Sequence, residues 1–132
     1  MIDYSNEIFN ALAVDLRLAF EGIFVKGEYV NIPAKFPCVT IDEIRNIPDH
    51  LDGARENKYA RVTYRVQVFS NAESGKRSEA RKIYDRIDRK MMGLGFFCKT
   101  YSTIPEIYNS EIYSITATYE GVIDRNGVIY RN

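Results

Sequence analysis

The clearest pattern in the chain is an alternation, with Val62, Tyr64, Val66 and Val68 on one parity and Arg61, Thr63, Arg65 and Gln67 on the other. Successive side chains of a strand point to opposite sides, so a period of two predicts a strand with one apolar and one polar face. The same period returns at Tyr113, Ile115, Ala117, Tyr119 and Ile123 and predicts a second such strand. Asn126-Gly127, a favoured pair for a tight hairpin, then turns the chain back into Val128-Ile129-Tyr130. Further strands are expected at Cys38–Ile44, where β-branched residues follow Pro33 and Pro37, at Phe96–Tyr101, and as a short piece near Glu28–Ile32.

Two stretches follow the helical period instead. Ile8, Phe9, Leu12, Leu16, Ala19 and Phe20 predict an amphipathic helix from Asp3 to Phe20, capped by Asp3 or Ser5. Ala80, Ile83, Tyr84, Ile87 and Met91 give the apolar stripe of a second helix from Gly75 to Met92, with Gly93 or Gly95 free to take the left-handed conformation that ends it. Gly22 and Gly27 bracket a turn, and Pro105 marks a loop. Asn46 to Asn57 carries turn formers and charges without a period, which predicts a long exposed loop. This order predicts an α+β fold: an antiparallel or mixed sheet of four to five strands with two helices packed on one face. Residues 1–132 suffice for a single domain. The sheet face left without helices is expected to stay wet or to meet another subunit.

Composition narrows the partners. Eighteen basic against eighteen acidic residues leave no global field to draw the chain to nucleic acid or anionic lipid, so an electrostatic partner needs a local patch. No apolar run approaches the ~20 residues that span a bilayer, so no membrane contact is expected. Met1-Ile2-Asp3-Tyr4 does not open a signal-peptide pattern, which points to a reducing compartment. Cys38 and Cys98 are far apart in sequence and are expected as buried free thiols.

Candidate chemistry is sparse. His50, the only histidine, lies in the long loop beside Asp49 and Asp52, and no motif supplies the nucleophile that a hydrolase centred on it would need. A solvated loop residue is expected there. Asp49, Asp52 and Glu56 lack the spacing of a calcium loop, and Gly75-Lys76-Arg77-Ser78 and Gly93-Leu94-Gly95-Phe96 lack the flanking glycines that wrap a phosphate. No catalytic residue, metal or cofactor is expected.

Charge does concentrate on the second helix, where Lys82, Arg86, Arg89 and Lys90 fall on one exposed strip. The strip suits an acidic partner or a phosphate backbone, which makes a nucleic-acid-binding module using residues 76–90 the alternative function. The pairs Asp85 with Arg89 and Glu79 with Lys82 also suit an ordinary solvated helix face. Ten tyrosines and seven phenylalanines exceed the needs of a core this size. Tyr101, Tyr108, Tyr113 and Tyr130 are therefore candidates for an oligomer interface.

One family shares these features. The run Tyr64-Arg65-Val66-Gln67-Val68-Phe69, a short polar break, a helix and Gly93-Leu94-Gly95-Phe96 together resemble the tail terminator and tail-completion, or head-tail joining, proteins of long-tailed phages. Phe36-Pro37-Cys38-Val39-Thr40-Ile41-Asp42-Glu43 is similar to that family's first main strand. Tyr119-Glu120-Gly121-Val122-Ile123-Asp124 and Gly127-Val128-Ile129-Tyr130 are similar to its closing strand and hairpin. The resemblance implies a subunit without enzyme activity that closes into a homo-oligomeric ring, a hexamer, stops growth of the tail tube and joins the tail to the head connector. Its implied partners are sister subunits, the tail-tube protein and the connector protein, with DNA passing through the ring. Its implied place is the cytoplasm of the bacterial host during assembly and then the virion. Pro48, His50, Leu51 and Arg55, in the long loop, would form the docking element.

Overall fold

The strand with the clearest alternation is also the one at the centre of the sheet. The computed structural model describes residues 2–28, 33–49, 59–103 and 112–130. In chain order these form α1 (Ser5–Ala19), β1 (Phe24–Lys26), β2 (Cys38–Asp49), β3 (Tyr59–Ser70), α2 (Lys76–Leu94), β4 (Phe97–Ser102), β5 (Tyr113–Asp124) and β6 (Ile129–Tyr130). The strands make one mixed sheet of order β1-β2-β3-β5-β4, and β6 pairs with β5. Only the β1–β2 pairing is parallel. The α+β architecture matches the expectation, while the strand number, six, exceeds the predicted four to five.

Register explains how the apolar face is assembled. Val39, Val68 and Ile115 stand abreast on β2, β3 and β5, and Ile41, Val66 and Ala117 form the next row. All six are buried in the main core, as are Ile8, Leu12 and Leu16 of α1 and Ala80, Ile83, Ile87 and Met91 of α2. Both helices therefore bury their apolar stripes on the same side of the sheet, as expected. Burying each such aliphatic side chain is worth roughly 1.5–3 kcal/mol, so these rows supply much of the drive to fold. Ala19, counted in the predicted stripe, is exposed, and Ala13 is buried in its place.

Two glycines are dictated by geometry. Gly95 ends α2 at φ 110°, with its N–H on the Met92 carbonyl, and a side chain there would also meet Ile129 at 3.0 Å. Gly121 lies under the ring of Phe96, and an added Cβ would come within 2.8 Å of it. At the other end of the domain, α1 starts at Tyr4 without a side-chain cap in that position. Asp3 does the work from one residue upstream, accepting the Ser5 N–H at 3.0 Å.

Two expectations need correction. The short strand forms at Phe24–Lys26, where Phe24 lies opposite Cys38; residues 29–32 lie outside the described residues. The long loop does not begin at Asn46, because β2 continues to Asp49 and pairs Asn46, Ile47 and Pro48 with Val62, Arg61 and Ala60. A register shift between Glu43 and Arg45 inserts Ile44 as an extra residue, so the alternation restarts one position out of phase and the stretch looks aperiodic in sequence. Beyond Thr40 the outer side of β2 has no strand among the described residues, an edge at which Pro48 is tolerated.

Candidate functional site

The face of the sheet away from the helices is built from the opposite parity of the same strands. Its rows run Thr40-Gln67-Thr116-Ser102, then Asp42-Arg65-Thr118-Thr100, then Arg45-Thr63-Glu120-Phe97. Neighbours in these rows satisfy one another. Thr40 donates to Gln67 at 2.7 Å, the Arg65 guanidinium reaches Asp42 at 2.8 Å, and Thr100 meets Thr118 at 2.6 Å. Glu120 lies between two cations, Arg61 at 3.6 Å and Lys99 at 3.7 Å. Pairs of this kind contribute roughly 0.2–1 kcal/mol each, so the ladder sets register more than it drives folding.

The polar face is thus less wet than its composition predicts. Thr40, Gln67, Ser114 and Glu120 are buried, and one corner closes as a second apolar cluster of Cys38, Phe69 and Ile112. Thr63, at the centre, is only 6% exposed, and its hydroxyl has no hydrogen-bond partner among the described residues. An orphaned buried hydroxyl of this kind costs about 1–3 kcal/mol.

Exposure is concentrated along the margins. On β4, the last strand of the sheet order, every residue from Cys98 to Ser102 is exposed, and no strand flanks its outer side among the described residues. Tyr101 is 46% exposed while its ring packs against that of Tyr84 at a tilt, centroids 4.9 Å apart. Tyr130, 45% exposed, meets Tyr59 edge-on at 6.0 Å and donates to Asp124 at 2.9 Å. Backbone and side-chain donors around Asp124, Val128 N–H foremost, hold its carboxyl below the ordinary range. Ile44 and Ile47, at and beyond the bulge, are also exposed.

Beneath Tyr101 runs a chain of polar contacts. The Tyr119 hydroxyl gives its proton to Asp88 at 2.7 Å and lies 2.8 Å from the Tyr84 hydroxyl, which in turn lies 3.6 Å from Cys98 Sγ. Burial is the main cause pushing both phenols above their ordinary range, so they stay protonated and serve as hydrogen-bonding struts. Cys98 is exposed, which corrects the expectation of two buried thiols; Cys38 is buried as expected. A second polar recess, a cleft of about 280 Å³, lies between the start of α1 and β2 and includes Glu43 and Tyr64. Tyr64 donates to Glu43 at 3.0 Å, and burial pushes the Glu43 carboxyl up, offset in part by that bond and one to Asn46.

The residues singled out in the sequence are scattered across these features. Tyr101 and Tyr130 lie on exposed margins, but Tyr113 is half-buried and packs on the main core, because it heads the apolar parity of β5. Pro48 belongs to β2, not to a loop. His50, Leu51, Arg55 and Tyr108 lie outside the described residues. Of the basic strip, Lys82 and Arg89 are exposed on α2, Lys90 is half-buried, and Arg86 is held by Asp15 of α1. That last contact had no signal in the sequence, since 71 positions separate the partners.

Among the described residues, no three or more His, Cys, Asp or Glu gather where they would hold a metal ion. No helix among them is long and apolar enough to cross a membrane. No protein-family model matches the chain, and no curated protein matches it.

Proposed function

We propose that this chain is an assembly subunit of a phage or prophage tail, closing into a ring that ends the tail tube and joins it to the head connector. The observation that carries the reading is the margin formed by β4: an exposed strand with no strand on its outer side among the described residues, carrying Tyr101, at one end of a sheet whose apolar side is already filled. An open strand edge offers main-chain donors and acceptors to a neighbouring chain, and a partly exposed tyrosine adds contact area at low entropic cost. A head-to-tail contact between two different margins generates a closed ring when the rotation per subunit fits, and six subunits is the number the family resemblance implies. Work in such a ring is steric. It needs no catalytic group, and DNA would pass through the opening.

The test is mass in solution. Light scattering across a range of concentrations should give a discrete assembly of several subunits, and Tyr101→Glu on the β4 margin should shift the mass towards one subunit. A parent protein that stays monomeric at high concentration overturns the reading.

A further inference from the structure

The outer surface of the helix layer has a feature that the ring does not use. Asp15 of α1 holds the Arg86 guanidinium through two contacts, 2.9 Å at Nε and 3.0 Å at Nη2. Arg89 and Lys90 line the same shallow cavity, of about 210 Å³. Neither has an ion-pair partner among the described residues, so one carboxylate faces three cations and the groove keeps an excess of positive charge. The Arg86 hydrogen bond keeps Asp15 below the ordinary carboxyl range, and the pair is fully formed at neutral pH.

The helix that supplies Asp15 also exposes apolar side chains. Val14, next to Asp15 in sequence, is 55% exposed, and Leu18, one turn further along α1, is 83% exposed. A single exposed leucine needs no explanation, but two aliphatic side chains one turn apart on the helix that supplies a wall of the basic groove make a mixed surface of defined chemistry. A phosphate backbone would engage the cations and gain nothing from Leu18. A peptide with both carboxylates and an apolar side chain would use both parts, in the way an amphipathic segment lies in a groove.

We propose that the α1–α2 groove docks an acidic amphipathic segment of a partner protein, its carboxylates on Arg89 and Lys90 and its aliphatic or aromatic side chain on Val14 and Leu18. Asp15 positions Arg86 as one wall of the groove and leaves the other two cations for the partner. This docking is independent of the ring, because the groove lies on the helix layer and not on the sheet margin.

The probes are a short labelled peptide with Leu and Glu at helical spacing, the same peptide with Lys for Glu, and a labelled DNA duplex, followed by anisotropy against the full chain. The Leu-Glu peptide should bind, and its binding should weaken as salt rises. Arg89→Glu/Lys90→Glu should cut that binding at least about tenfold, Arg89→Gln/Lys90→Gln should weaken it less, and Leu18→Ser should weaken it several-fold. All the substituted side chains are at the surface, and unchanged melting of each variant checks the fold. Absence of peptide binding by the parent protein overturns the proposal, as does equal binding of the Lys peptide. Tighter duplex binding that Leu18→Ser leaves unchanged also overturns it and assigns the groove to phosphate.

Discussion

The two faces of the sheet use the same three long strands for opposite ends. On the helix side, Val39, Val68 and Ile115 and the row beside them are sealed under α1 and α2, and each position is replaceable only by something of similar volume. On the other side, Thr40 with Gln67, Asp42 with Arg65, and Glu120 with Arg61 and Lys99 hold one another in matched pairs. Non-directional burial makes one face stable; directional pairing makes the other specific in register. Neither device operates at the margins, where Tyr101 and Tyr130 are exposed.

If that contrast is right, truncation on the helix side should be the costliest change. Ile87→Ala, at a fully buried α2 position, should destabilise the fold by about 2–5 kcal/mol in denaturant titrations, and a loss below ~1 kcal/mol would mean the layer is loosely packed. The polar face should respond in the opposite sense at Thr63. Thr63→Val removes an orphaned hydroxyl at nearly constant shape and should stabilise by about 1 kcal/mol; destabilisation would show that the hydroxyl has a partner.

The smallest effect separates the faces by pH. Glu43 shares the helix-side parity of Val39 and Ile41, and burial raises its pKa, so the folded state holds its proton more tightly than the unfolded chain. Its contribution is then present at low pH and is lost as pH rises through the raised value. Glu43→Gln should accordingly gain in stability relative to the parent as pH climbs from about 4 to about 7, read from paired melting curves. A gap that narrows over that range would place the carboxyl in a charge-favouring site instead.

Much of this architecture is legible because apolar and polar residues alternate along β3 and most of β5, although burial reaches both faces, and because α2 carries an uninterrupted apolar stripe ending in glycine. What could not be read is all non-local. The Asp15–Arg86 bridge joins different helices, and the burial of the polar face depends on which strands lie side by side. Cys98 is exposed because no strand among the described residues covers the outer side of β4, and sequence alone does not say which strand is last. Tyr113 was read as an interface residue from its type, while its parity within β5 already assigned it to the core.

The extra residue at Ile44 turns β2 into two half-strands of opposite phase, and this marks the one position of the strand at which a deletion keeps the pattern. An exposed position is normally the safest place to lose a residue. Removing Ile44 would leave Arg45 opposite Thr63, Asn46 opposite Val62 and Ile47 opposite Arg61, so the strand would lose its bulge and keep both faces, whereas loss of a neighbouring strand residue would turn one half over.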